Sequence, residues 1–141
     1  MSMGKPMANY AAAKRVGDFV FMSGVVAVDP ALRRAVSSYD DIPEQARTAL
    51  QSVGYATGQM SVDIFEAAIV AQSWFVLERI RQIAAEHGGT MDDVVKLVQY
   101  FRHLPHYAFY NRVRGIFYPG EPPVSTVVEV SRFLPGDEVL V

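Results

Sequence analysis

The feature that most constrains this chain is a long amphipathic stripe in residues 64–86. Ile64, Ala67, Ala68, Ala71 and Phe75 recur at three- and four-residue steps, and Val70, Trp74, Leu77, Ile80 and Ala84 widen the same side. Glu78, Arg79, Arg81, Gln82 and Glu86 fall mostly elsewhere. That period is a helix with one broad apolar face. Asp63 with Glu66 reads as a capping box at its start, and Gly88-Gly89 as the left-handed stop at its end. A helix of this kind must lay its face on another layer of secondary structure.

The rest of the chain supplies that layer as strands. Residues 18–28 are rich in β-branched and aromatic side chains and follow the turn signal Gly17-Asp18. Residues 10–14 read as a shorter hairpin partner, joined through 15–17, and Asp29-Pro30 ends the run because proline cannot donate to a ladder. Beyond the long helix, residues 90–93 form a turn and 94–101 a strand. Pro105 then opens a second helix carrying Tyr107, Phe109, Tyr110, Val113 and Ile116. A turn built on Pro119, Gly120, Pro122 and Pro123 leads to the clearest strand, 124–133; residues 134–137 turn again and 138–141 begin a last strand. Residues 31–62 fit this order poorly. Asp41 is placed to cap a short helix running to about Leu50 with Pro43 in its first turn, and 54–58 breaks the pattern. The segment is expected to be an insertion lying on the surface. The fold class that follows is α+β: one domain, 1–141, with two helices packed on one face of a mixed sheet. The sheet's other face is left for water or another subunit.

Composition narrows the function by exclusion. The net charge is −2 with no long run of either sign, so the positive field that nucleic acids require is missing and no nucleic-acid partner is expected. There is no cysteine, hence neither a disulfide framework nor a thiolate metal site. No window approaches a membrane span, the N-terminal region lacks a signal-peptide core, and the expected location is cytoplasmic. His103 and His106 have metal-like spacing but no carboxylate at a ligand-like offset, and read as surface histidines. Ser23-Gly24 lacks the surrounding G-x-S-x-G of a nucleophile elbow, and no glycine-rich cradle for a nucleotide is present. Asp40-Asp41 and Asp92-Asp93 read as caps rather than catalytic carboxylate pairs.

Several stretches taken in order resemble the RidA (YjgF-type) family of reactive imine and enamine deaminases. They are Tyr10 with the following alanines, Gly17 through Gly24 and then Asp29-Pro30; the Met91–Lys96 junction after Gly88-Gly89; Tyr110-Asn111 ahead of Ile116–Pro119; and Pro123–Arg132 followed by Leu134-Pro135. The resemblance covers nearly all of the chain outside residues 31–62. It implies a chorismate-mutase-like fold and a homotrimer with a barrel-like core. Small imine or carboxylate ligands would bind in clefts between subunits, and no cofactor or metal would be needed. Such proteins hydrolyse imines to a carbonyl compound and ammonia.

Carried over residue by residue, Tyr10 matches the family's cleft tyrosine. Gly24 matches the glycine whose backbone approaches the ligand, and Asn111 the helix asparagine near the cleft. Ser125, Thr126 and Glu129 on the signature strand complete the candidate ligand-binding set. The family's carboxylate-gripping arginine falls at Ser125, and its late glutamate near Val141. A hydroxyl offers one neutral hydrogen bond where a guanidinium offers a charged fork. The substrate is therefore expected to be other than a standard 2-imino acid, or to be held by another cation, Arg112 or Arg114. The alternative is a non-catalytic trimer that binds a small metabolite or regulates a partner.

Overall fold

A two-residue reversal at Gly17-Asp18, with Gly17 at φ +60°, joins β1 (Ala13–Val16) to β2 (Phe19–Met22) as an antiparallel hairpin pairing Val16 with Phe19. These are the first elements of a computed structural model that describes residues 6–141. The first strand lies three residues later than expected, because the turn uses the left-handed glycine itself rather than residues 15–17. Residues 18–28 are not one strand either. After Met22 only Val26 bridges to Leu140, while Val25 and Val141 exchange backbone hydrogen bonds of 2.7 and 3.2 Å. The short strands β3 (Val28–Asp29) and β4 (Arg34–Ala35) then pair antiparallel.

The central sheet has the order β6-β5-β7. β5 (Lys96–Phe101) runs parallel to β6 (Val124–Glu129) and antiparallel to β7 (Val139–Leu140). A parallel neighbour requires a crossover, and α4 (Tyr107–Phe117) provides it. Leu97, Gln99 and Phe101 of β5 are buried, while Lys96, Val98 and Tyr100 alternate to the other, more open face. β6 ends at Glu129 rather than reaching residue 133. Its last ladder bond, Val130 N–H to Phe101 O at 2.9 Å, coincides with the end of β5, so no partner remains beyond it.

The long helix α3 spans Ala67–Glu86, starting three residues after the stripe begins. The expected capping box does not form. The Asp63 carboxylate, at the end of the short helix α2 (Met60–Asp63), instead accepts from Thr57 N–H at 3.0 Å and Gly58 N–H at 2.9 Å. At the other end Gly88 takes φ +80° and stops the helix, and Asp93 accepts from Thr90 N–H at 2.7 Å in the turn that follows.

From Ile69 to Glu78, α3 is buried on every side rather than along one stripe. The cause corrects the expectation for residues 31–62. Val36, Ile42, Ala46, Leu50, Tyr55 and Ala56 belong to the same hydrophobic core as α3, so this segment contributes buried side chains rather than lying wholly on the surface. Its helix α1 (Glu44–Gln51) has Pro43 at the capping position. Asp41 does not cap it; it accepts both Arg34 Nη atoms at 2.8 Å and Ser37 N–H at 2.8 Å. That guanidinium fork holds the Asp41 carboxyl well below the usual carboxylate range.

A buried amide secures the same region from below. Gln72 of α3 donates to Val36 O and Gly136 O, both at 2.8 Å, and accepts from Glu138 N–H at 2.8 Å. No helix among the described residues is long and apolar enough to cross a membrane. Leu50 is fully buried, so Leu50→Ala is expected to lower unfolding free energy by about 2–5 kcal/mol in urea melts. A change within about 0.5 kcal/mol, as a surface position would give, contradicts the core role of this segment.

Candidate functional site

Where α4 meets β5 and β6, polar side chains of all three elements gather in one hydrogen-bonded cluster. Tyr110 and Val113 of α4 are buried, and the Tyr110 ring meets Phe101 of β5 edge-on with centroids 5.3 Å apart. One turn after Tyr110, the same side of the helix carries Arg114. The half-buried Arg114 guanidinium lies 5.7 Å from the centroids of both Tyr107 and Tyr110. Its Nη1 donates to Gln99 Oε1 at 2.8 Å and Ser125 Oγ at 3.0 Å, and its Nη2 donates to Asn111 Oδ1 at 2.6 Å and Tyr107 Oη at 3.1 Å. All four acceptors are neutral. Among the described residues, Arg114 has no carboxylate partner.

Beneath it lies Gln99, which is fully buried. Tyr110 Oη donates to Gln99 Oε1 at 2.8 Å, and burial pushes that phenol far above its ordinary value, so the hydroxyl remains a donor. Gln99 Nε2 donates to Ser125 Oγ at 2.8 Å and to Thr126 O at 3.0 Å. Ser125 and Asn111 are exposed, so the cluster opens to solvent along the β6 edge.

The candidate residues divide into groups. Asn111 and Ser125 meet at Arg114. Thr126 enters only through its backbone carbonyl; its side chain alternates to the opposite face of β6 from Ser125. Glu129 shares Ser125's face but stands four residues along, about 13 Å at a strand rise of roughly 3.3 Å per residue. Its Oε2 accepts from Leu104 N–H at 2.8 Å and holds the turn before α4.

Tyr10 and Gly24 line a separate small cavity of about 60 Å³ with Ser23 and Arg79. There the Nη1 of Arg79 is buried without a hydrogen-bond partner. A Cβ at Gly24 would sit 2.8 Å from Leu140 Cδ2, so the glycine makes room for β7. Among the described residues, no hydrogen bond joins this cavity to the Arg114 group within one chain.

Of the two cations named from sequence, Arg112 stacks on the Tyr55 ring at 5.2 Å, away from Ser125, and Arg114 occupies the cluster. Gln99, Tyr107 and Tyr110 escaped the sequence reading as site residues. One signal was available for Gln99: it is the lone polar side chain in the buried phase of a strand otherwise filled by Leu97 and Phe101. The His103 and His106 rings meet nearly at right angles with centroids 5.4 Å apart, and no group of three or more metal-ligating side chains gathers among the described residues.

A family model described as endoribonuclease L-PSP matches residues 51–141. A RutC family protein of Pyrococcus abyssi is 29% identical over 136 residues, covering 96% of this chain and 84% of that protein. A Klebsiella pneumoniae structure described as a candidate endoribonuclease is 50% identical with a TM-score of 0.86, covering 93% of this chain and 94% of that one. RidA from the Antarctic bacterium Psychrobacter sp. is 22% identical with a TM-score of 0.70, covering 96% of this chain and 85% of that one. At that identity the likeness to RidA concerns the fold.

Tyr110→Phe keeps the ring packing and removes one donor from the buried amide. It is expected to cost about 1 kcal/mol in denaturant melts. No measurable loss contradicts the Tyr110–Gln99 hydrogen bond.

Proposed function

Because this chain belongs to the endoribonuclease L-PSP family, whose YjgF/RidA proteins share its fold, we propose that it is an imine or enamine deaminase acting on a small carboxylate-bearing substrate. The observation that carries this reading is Arg114, a half-buried guanidinium held by four neutral acceptors and, among the described residues, opposed by no carboxylate. It stands against Ser125, the strand position where the family resemblance expects an arginine. The cation is supplied from the helix instead of the strand. This removes the ground for expecting a substrate other than a 2-imino acid.

The geometry supports the chemistry in a defined way. A guanidinium has no acceptor, so the groups around it turn their oxygens inward and their hydrogens outward. With Oδ1 on Arg114, the Asn111 amide presents its N–H₂ to solvent beside the cation. An anion arriving there meets the charge of Arg114 beside the free hydrogens of Asn111 and Ser125. A carboxylate that takes one Nη hydrogen of Arg114 from its neutral acceptor, and accepts from Asn111 and Ser125, holds the adjacent imine carbon still for attack by water. The oxygen adds to carbon, the nitrogen takes up the protons, and the carbon–nitrogen bond breaks to give a 2-keto acid and ammonia. One water is consumed, and the reaction needs no oxidant or cofactor.

The same reading includes a cytoplasmic homotrimer with the site between copies. Val124 and Val128 of β6, on the face away from α4, and Phe19 and Phe21 of the hairpin are exposed apolar side chains. Apolar surface of this kind on a sheet supports burial against further copies. In such an assembly, Tyr10 and Gly24 of one copy complete the Arg114 group of the next. A ribonuclease reading, which the family description carries, has less support. The net charge is −2, and Arg114 is a single cation rather than a basic track for a phosphate backbone.

The test is ammonia release from freshly generated imines, some with a carboxylate and some without, using the unmodified protein and Arg114→Met. Carboxylate imines are expected to be consumed preferentially, and Arg114→Met to lower kcat/KM on them by roughly 10- to 100-fold. Equal turnover of uncharged imines, or an unaffected Arg114→Met, contradicts the reading. Carboxylate binding without turnover selects the non-catalytic binder.

A further inference from the structure

Gln99 is an amide in an otherwise apolar strand interior, and such a group is tolerated only when its hydrogen-bonding capacity is met. Here it is met completely. The two acceptor positions of Oε1 take Tyr110 Oη–H and Arg114 Nη1–H, both at 2.8 Å. The two Nε2 hydrogens go to Ser125 Oγ at 2.8 Å and Thr126 O at 3.0 Å. The amide cannot be reversed, because that would set its N–H₂ against a guanidinium with no acceptor.

Ser125 inherits its polarity from this arrangement. Its Oγ receives hydrogens from Gln99 Nε2 and from Arg114 Nη1, which occupies both lone pairs. Gln99 Oε1 is already filled, so the one hydroxyl hydrogen of Ser125 has no acceptor within the cluster. Ser125 is exposed, and the hydrogen leaves toward solvent. Gln99 has a second consequence. Being neutral, it binds Arg114 without cancelling its charge, whereas a carboxylate at the same place would discharge it.

We infer that Gln99 is a positioning residue that fixes the Ser125 hydroxyl as an outward donor and preserves the charge of Arg114, so that the site selects an anionic substrate group over a neutral one. This rests on the carboxylate-binding reading of the site. It adds that the selectivity is set from beneath, by a side chain that never touches the ligand.

The experiment is calorimetric titration with pyruvate, a product-like carboxylate, and with methyl pyruvate, its uncharged ester. Gln99→Glu changes charge with almost no change in shape. It is expected to erase the preference for pyruvate by at least roughly 10-fold, the scale of one charged hydrogen bond. The paired variant Gln99→Leu with Tyr110→Phe removes both buried polar partners together and guards against misfolding of the single substitution. It is expected to weaken pyruvate binding, and adding Ser125→Ala to it is expected to cost nothing further, the mark of two residues acting through one interaction.

Unchanged pyruvate binding in Gln99→Glu overturns the inference while leaving the carboxylate reading intact. So does a full Ser125→Ala effect in the paired background. If the unmodified protein shows no preference for pyruvate over its ester, or Arg114→Met leaves that preference unchanged, the carboxylate reading itself falls and takes the inference with it.

Discussion

A guanidinium can only donate, and the site region of this protein is arranged around that limit. Arg114 reaches from α4 toward the edge strand β6 and forces four oxygens to face it. One of those oxygens belongs to an amide buried in the sheet, and satisfying that amide requires the phenol of Tyr110 and the hydroxyl of Ser125. The polar network therefore fixes how α4 sits on β5 and β6, which apolar contact alone leaves loose. Tyr107 and Tyr110 then each pack in a T-shaped arrangement with Phe101 in the space that remains.

A second buried amide does comparable work at the far side of the core. Gln72 of α3 joins the carbonyls of Val36 and Gly136 to the N–H of Glu138. These belong to the segment before α1 and to the turn leading into β7, so one side chain registers both against the long helix. Both glutamines interrupt apolar runs, and each has both its amide hydrogens and its carbonyl oxygen hydrogen-bonded. Neutral amides suit this task, since they carry two donors and two acceptors without the desolvation cost of a buried charge.

The parts of this fold legible in the sequence are those written in periodicity. The helical stripe, the glycine stop at Gly88, the hairpin turn at Gly17-Asp18 and the strand after Pro123 all show themselves in local spacing. The ends of elements were harder, because partners decide them: β6 stops where β5 stops, and Asp63 serves the loop at Thr57 and Gly58 rather than the helix after it. Residues 31–62 read as surface because Val36, Ile42, Ala46 and Leu50 follow no long period, yet these four join the hydrophobic core that holds α3. At the site, Asn111 and Ser125 could be named from the resemblance. Arg114 was visible only as one of two helix arginines, and choosing between them needed the contact between helix and strand. Spacing along one element carries no record of such a contact.

The central claim is that Arg114 takes the place of a strand cation as the carboxylate anchor. The most direct measurement is a crystal structure of the protein with pyruvate bound. The account predicts the pyruvate carboxylate within hydrogen-bonding distance of the Arg114 guanidinium, with Ser125 Oγ and Asn111 Nδ2 donating to it. A carboxylate bound at Arg79 in the Tyr10–Gly24 cavity, or an Arg114 already paired with an acidic side chain of a neighbouring copy, would contradict it.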